Sequence, residues 1–163
     1  MDIIHEDTWD LFLDEFFEVF STSGFFKRKI FICGSYISEN FVNLQEVRDE
    51  INKNERYLAF FELDFSRFHN ENLVYKFDLL ARIADELLFV VEHDRGGHMI
   101  ELGIVLAVTE YLQKTIIFVL ENAPITQMLT KGGLLSPFFE LNESLIYFKD
   151  IDDLKKHIGE KYK

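Results

Sequence analysis

A chain of 163 residues is long enough to enclose one sizeable core but short for two, so we expect a single domain over 1–163. Its net charge of -12 repels phosphate backbones at long range, which argues against a nucleic-acid partner. The longest apolar runs are too short to span a bilayer, and the acidic start MDIIHEDTWD is unlike a secretory signal, so we expect no membrane partner and a cytoplasmic location.

The first predicted element is a helix over residues 6–20, where apolar side chains recur at three- and four-residue spacing. This stripe consists of Trp9, Phe12, Leu13, Phe16, Phe17 and Phe20. It is wide for a helix that packs on one face only. We therefore expect residues 1–28 to form a helical extension that contributes to a homodimer or higher homo-oligomer, beside a core over 29–163.

Short apolar runs then alternate with helical patterns through the rest of the chain. Five runs predict strands, namely KIFICG, YLAFFEL, ELLFVVE, TIIFVLE and SLIYF. Helices are predicted over 38–53, 73–84 and 97–112, and DIDDLKKHIGEKY closes the chain. This alternation predicts a three-layer α/β fold with a parallel sheet, and five strands suit the flavodoxin-like (Rossmann-like) order 2-1-3-4-5.

In that strand order, ligands bind outside the carboxyl ends of the first and third strands. The loops there contain Gly34-Ser35-Tyr36 and the segment 92–97. Gly96 and Gly97 permit positive φ and close backbone approach, and the helix that follows offers unpaired N–H groups. Such a loop suits a phosphate or ribose hydroxyls. The alternatives are that the two glycines only make a turn and that Ser35 caps the next helix.

Glu101 is an acidic residue at the start of an almost wholly apolar helical run. Burial raises the pKa of a carboxyl group and helix N–H groups lower it, a balance that an active carboxylate nucleophile needs. The alternative is a favourable first-turn charge, which stabilises a helix by roughly 0.3–1 kcal/mol. His98 lies three residues earlier, so we expect a hydrogen bond between the two side chains. Two ligands without a third do not make a metal site, and we predict no metal and no cofactor.

The run ADELLFVVEHDRGGHMIELGIVLA, followed by KTIIFVLEN, resembles the signature of the nucleoside 2-deoxyribosyltransferase superfamily. In that family an Ala-Asp pair leads into a strand, an acidic glycine loop follows, and Glu-x-Gly opens the next helix. The matching positions are Ala84, Asp85, Asp94, Gly96, Gly97, Glu101 and Gly103. KIFICGSY is similar to the family's first strand and its loop, and the resemblance covers roughly residues 29–120.

The resemblance implies a flavodoxin-like fold, an oligomer and a Glu nucleophile at Glu101 that attacks the anomeric carbon of a sugar. It implies a second catalytic carboxylate near Asp78, although the spacing from Asp78 to Asp85 is one residue shorter than the family pattern. His98 and Met99 stand where the family carries a hydroxyl-bearing residue. With the two loops, the resemblance gives these ligand-binding candidates: Gly34, Ser35, Tyr36, Asp94, Gly96, Gly97 and His98.

Two functions follow from this sequence. The first is cleavage or transfer at the N-glycosidic bond of a nucleoside or nucleotide, through a covalent intermediate on Glu101. A double glycine before a Glu is also similar to the phosphoribohydrolases that release cytokinin bases, which cleave the same bond. The second is a non-catalytic nucleotide-binding or sensing module, in which Glu101 only holds ribose hydroxyls. A second carboxylate facing the same open pocket would favour the enzyme.

Overall fold

The computed structural model describes residues 6–67, 73–131, 135 and 143–163, and the side chains of 6–9, Trp9 among them, lie outside the described part. The elements in chain order are α1 (Glu6–Gly24), β1 (Arg28–Cys33), α2 (Ser38–Asn52), β2 (Tyr57–Phe60), a 3-10 helix (Glu62–Phe65), α3 (Leu73–Ile83), β3 (Glu86–Val91), α4 (His98–Ala107), α5 (Thr109–Gln113), β4 (Thr115–Leu120), α6 (Pro124–Lys131), β5 (Leu145–Phe148) and α7 (Ile151–Lys161). None of the described helices is both long and apolar enough to cross a bilayer.

The five strands form one sheet in the order β2-β1-β3-β4-β5. Every neighbouring pair is parallel. β1 lies inside the sheet, where Ile30 pairs with Ala59 on one side and with Glu86 on the other. The predicted α/β fold and its strand order 2-1-3-4-5 are therefore confirmed.

Helices cover both faces of the sheet, which makes the three layers. One layer buries side chains of α1, α3 and α4, among them Phe12, Phe20, Phe77, Leu80, Leu102 and Val105. The other layer buries side chains of α2 and α7, among them Leu44, Val47, Ile51, Leu154 and Ile158. β1 supplies both layers because successive side chains of a strand point to opposite faces, with Phe31 and Cys33 in the first and Ile30 and Ile32 in the second.

The predicted helix over 97–112 is wrong in its length, because the chain breaks it into α4 and α5. Val108 has an extended backbone, with φ -114 and ψ 108, and it precedes α5. The break lets Tyr111 enter the core, where it is buried and its hydroxyl donates to the carbonyl oxygen of Asp78 at 3.2 Å. α5 is thereby attached to α3.

α1 packs on the sheet with part of its phenylalanine stripe. Phe20 meets Phe60 edge to face with ring centroids 5.1 Å apart, and Phe12 lies 5.9 Å from Phe65. The α1 outer face consists of the exposed apolar side chains Leu13 and Phe17 of α1 and Phe25 and Phe26 of the turn after it, with the ring centroids of Phe17 and Phe25 5.7 Å apart. Exposed apolar side chains that lie next to one another are typical of a contact between subunits.

We propose that a second copy of the chain covers the α1 outer face. Light scattering at micromolar concentration should give twice the mass of the chain. Phe17, whose side chain is 60% exposed, lies within this face, so Phe17→Lys should give the monomer. The matched control is Met128→Lys, which places the same charge at an exposed apolar position on α6 and should leave the dimer intact. A clean monomer of the unaltered chain would contradict the proposal.

Candidate functional site

A cavity of about 440 Å³ opens at the carboxyl ends of β1 and β3, at the switch point of the sheet. Cavities of this size accommodate small-molecule ligands. Its lining comes from the loop after β1, the 3-10 helix, the first turn of α3 and the start of α4. The residues are Gly34, Ser35, Tyr36, Ile37, Glu62, Leu73, Val74, Gly96, Gly97, His98, Ile100, Glu101 and Ile104.

Most of the site residues predicted from the sequence meet in this cavity. Seven of them line it, namely Gly34, Ser35, Tyr36, Gly96, Gly97, His98 and Glu101. They meet there because β1 and β3 are neighbours in the sheet, so the loops after these strands leave the same edge side by side.

Asp78 and Asp94 lie elsewhere. The carboxylate of Asp78 accepts hydrogen bonds from Tyr111 Oη and, at 2.9 Å, from Arg82 Nε. Burial acts to raise the pKa of Asp78, but these two hydrogen bonds outweigh it and the pKa is lowered. Successive side chains of a helix are turned by about 100° around its axis. A spacing to Asp85 that is one residue shorter than the family pattern therefore places Asp78 on another face of α3, where it contacts Tyr111 of α5 and does not face the cavity. Asp94 lines a second, separate cavity.

Glu101 lies in the first turn of α4, where its backbone N–H donates to the Gly97 carbonyl oxygen at 3.1 Å. Its side chain is partly buried in the cavity wall. Burial, and secondarily the negative charge of Glu62, raise the pKa of Glu101 to about 8. Both influences act in the same direction. The carboxyl group of Glu101 is therefore mostly protonated at neutral pH when the cavity holds no ligand.

Glu62 is the second carboxylate of the site, and the sequence reading missed it. It opens the 3-10 helix directly after β2, and its side chain is 15% exposed. Lys76 Nζ of α3, on a side chain 10% exposed, lies 3.5 Å from Glu62 Oε1. Its position in the sequence could have indicated it. Glu62 directly follows the apolar run YLAFF, so it stands at the carboxyl end of a strand that neighbours β1.

Tyr36 and Cys33 complete the polar surroundings of the two carboxylates. Burial raises the pKa of the Cys33 thiol, and the charges of Glu101 and Glu62 raise it further. Burial likewise raises the pKa of the Tyr36 phenol, with the same two carboxylates adding to the effect. Both groups therefore keep their protons at neutral pH. Tyr36 lines the cavity as a neutral hydrogen-bond donor.

His98 is buried and neutral. Its Nε2 lies 3.1 Å from the His93 carbonyl oxygen, and its Nδ1 has no hydrogen-bond partner among the described residues. Burial lowers the pKa of His98. The expected hydrogen bond between His98 and Glu101 is therefore wrong. In the part of the chain that the structure describes, no group of three or more His, Cys, Asp or Glu residues is placed to hold a metal ion.

Two glycines of the cavity wall stand where another residue would strain the backbone or clash with its neighbours. Gly96 has φ +111, a conformation that side chains rarely adopt. A Cβ at Gly34 would lie 2.8 Å from Leu44 Cδ2 and 3.1 Å from the Val90 carbonyl oxygen.

Ser35 does not cap the helix that follows it. Ser35 Oγ accepts a hydrogen bond from the Ile37 N–H at 3.3 Å. The cap position of α2 is occupied by Ile37, which makes no side-chain cap. The capping alternative for Ser35 is therefore wrong.

A hydrogen-bond network fixes the loop between β3 and α4. Arg95 N–H donates to His93 Nδ1 at 2.9 Å, so His93 Nε2 carries the proton toward Asn40 Oδ1 at 3.1 Å. Asn40 Nδ2 and Asn43 Nδ2 each donate to Glu92 at 2.8 Å. These bonds attach the glycine loop to α2, which holds the cavity wall in place.

A parallel sheet of order 2-1-3-4-5 with a cavity at its switch point defines an α/β protein of flavodoxin-like topology. The chain belongs to the Family of unknown function (DUF8170), whose model matches residues 22–132. That span contains every described residue that lines the cavity. No curated protein matches the chain.

The burial of Glu101 predicts a pH-dependent cost in stability. Between pH 4.5 and 8 the folded chain binds a proton on Glu101 that the unfolded chain has lost, so stability falls as pH rises through this window. Glu101→Gln has no such group. Above pH 8 it should unfold with a free energy higher than that of the unaltered chain by on the order of 2–5 kcal/mol.

Urea denaturation at several pH values measures this difference. Near pH 4 the two proteins should be equally stable, because the carboxyl group is then largely protonated in both states. Glu110→Gln, which alters an exposed carboxylate on α5, should show no such widening with pH. A stability difference that is constant from acid to alkaline pH would mean that Glu101 is not desolvated.

Proposed function

We propose that this protein cleaves or transfers the N-glycosidic bond of nucleosides, with Glu101 as the nucleophile. The observation that carries the proposal is the presence of Glu101 and Glu62 in one cavity at the switch point of the sheet. Paired carboxylates are the usual equipment for chemistry at an anomeric carbon. The resemblance of the segment around Glu101 to the deoxyribosyltransferase signature supports the same role.

The reaction proceeds in two displacements. In the first, an ionised Glu101 oxygen bonds to the anomeric carbon while the bond to the base nitrogen breaks and its electron pair leaves with the base. In the second, water or an acceptor base attacks the same carbon and frees the Glu101 carboxylate. The negative charge of Glu62 stabilises the positive charge that develops on the sugar in both transition states.

The charges of the cavity favour a nucleoside over a nucleotide. Glu62 and Glu101 are the acidic side chains of its lining, and no Lys or Arg is among the described lining residues. A phosphate would enter next to these carboxylates without a cation to offset the repulsion. The hydroxyls of Ser35 and Tyr36 are suited to hydrogen-bond a sugar, and Gly97 allows its close approach to the backbone.

A non-catalytic nucleoside-binding module is the second candidate, and one observation favours it. With its pKa raised to about 8, Glu101 is mostly protonated at neutral pH and then donates a hydrogen bond instead of acting as a nucleophile. In this alternative Glu101 holds a sugar hydroxyl or a base carbonyl, and no bond breaks.

The two candidates are separated by incubating the protein with a panel of nucleosides and measuring free base by chromatography. The enzyme should release base, and Glu101→Gln should abolish release while the dissociation constant changes by less than about tenfold, since Gln keeps the size and most hydrogen bonds. Glu110→Gln serves as the control with an exposed charge removed. Binding without base release from any nucleoside would favour the binding module.

The pH dependence of turnover tests the role of Glu101 separately. The groups around it are Cys33 on β1, Tyr36 after β1, Glu62 with its partner Lys76 on α3, and His98 on α4. A nucleophile must be ionised, so kcat/KM should rise with pH and level off above about 8, the value to which burial raises the Glu101 pKa.

Glu62→Gln should move this rise to lower pH, because the charge of Glu62 no longer raises the pKa of Glu101. A kcat/KM that falls with increasing pH would instead assign Glu101 the role of a general acid.

A further inference from the structure

The cavity is suited to a positively charged ligand, because of the ionisable side chains among its described lining residues. Glu62 and Glu101 are acidic, and His98 is neutral. Among the described residues, Lys76 is the ion-pair partner of Glu62 and is not part of the lining. Charges attract more strongly in a mostly apolar cavity than in bulk water.

Much of the rest of the cavity wall is apolar, which limits the kind of cation that fits. Its apolar lining consists of Ile37, Leu73, Val74, Ile100 and Ile104. A small inorganic cation would lose its hydration against these side chains, which offer it no oxygen ligands. A cation spread over an aromatic ring buries apolar surface and keeps its charge near the carboxylates.

The described residues that line the cavity include no group that readily protonates a leaving base. A neutral base must take up a proton as it leaves, and an acid within reach must supply it. Glu101 has lost its proton when it acts as the nucleophile, and the Glu62 carboxylate is engaged by the ammonium of Lys76. The hydroxyls of Ser35 and Tyr36 are weak acids. Burial raises the pKa of the Tyr36 phenol and makes it a weaker acid still.

We infer that the cavity selects N-glycosides whose base carries a fixed positive charge, as in an N-glycosylpyridinium, over N-glycosides with a neutral base. This inference rests on the proposed function, because it names the substrate class of the same site. A cationic base needs no proton: the electron pair of the breaking carbon–nitrogen bond neutralises the ring nitrogen, while the Glu101 oxygen bonds to the anomeric carbon. Water then adds to that carbon, and the sugar leaves with a hydroxyl group and one proton passes to solvent.

A matched pair of probes tests the charge alone. Nicotinamide riboside carries a positively charged ring, and its 1,4-dihydro form is neutral with nearly the same shape. Calorimetric titration at a pH above 8, where Glu101 is ionised, should give a dissociation constant at least about tenfold lower for the charged probe. Free nicotinamide, measured against a protein-free blank, reports cleavage of the charged probe.

The outcomes separate this inference from the proposed function. Tighter binding of the charged probe with nicotinamide release is the expected result. Tighter binding without release from any probe or nucleoside keeps the charge selection and overturns the glycosyl mechanism. Equal or tighter binding of the neutral probe overturns the charge selection, and the proposed function survives if a neutral nucleoside such as inosine is then cleaved. Failure of both probes to bind overturns the inference.

A charge variant assigns the selection to the cavity. Glu62→Gln should weaken binding of nicotinamide riboside by about tenfold and leave the dihydro form unchanged, since only the first is attracted by the lost charge. Glu110→Gln removes a charge of the same sign from an exposed site on α5 and should change neither affinity. Equal effects of the two variants would mean that the overall acidity of the chain, and not the cavity, attracts the cation.

Discussion

Burial, and secondarily the negative charge of Glu62, act on Glu101 within one mostly apolar cavity, and the protonation of the site depends on both. The ammonium of Lys76 compensates the Glu62 carboxylate at 3.5 Å. Among the described residues nothing compensates Glu101 in the same way, since burial and the charge of Glu62 both raise its pKa. The cavity can therefore hold a proton on Glu101, or the positive charge of a ligand in its place.

The fold brings these two carboxylates together from separate segments of the chain. Parallel pairing of β2, β1 and β3 puts the carboxyl ends of all three strands at one edge of the sheet. Glu62 follows β2 and Glu101 enters on the helix after β3, with the loop after β1 between them. The sheet fixes where each of these segments leaves its edge, and the hydrogen-bonded loop after β3 carries α4 and Glu101 to the cavity.

The sheet was predictable because its information is local. ELLFVVE has the length and continuous apolar character of a strand buried on both faces, and the structure has β3 at Glu86–Val91. The break at Val108 was not predictable from periodicity, because the apolar pattern continues through it and only the packing of Tyr111 against α3 requires it. Periodicity reports which residues are buried and does not report where a helix bends.

The site was predictable where residues follow a strand or open the helix after it. Gly34 directly follows β1, and Gly97 lies in the loop after β3; the fold class dictates that these two strands are neighbours. Asp78 was proposed from the family resemblance, although its spacing to Asp85 is one residue shorter than the family pattern, and one residue along a helix rotates a side chain to another face. Glu62 becomes part of the site through the adjacency of β2 and β1, which is a relation between distant parts of the sequence.

Two departures from ordinary protein packing coincide in the wall of this cavity, and their coincidence is an argument for function. The other buried acidic residues that the structure describes are compensated, as Glu86 is by Tyr162 Oη and by Arg28 at 3.5 Å. Glu101 carries a desolvated carboxyl group, and His98 Nδ1 is a buried polar atom without a hydrogen-bond partner among the described residues. Glutamine at 101 would remove the first cost without changing the fold. Uncompensated polar groups concentrate where a ligand completes their bonding, so the stability lost at Glu101 and His98 is explained if the cavity acts on a ligand.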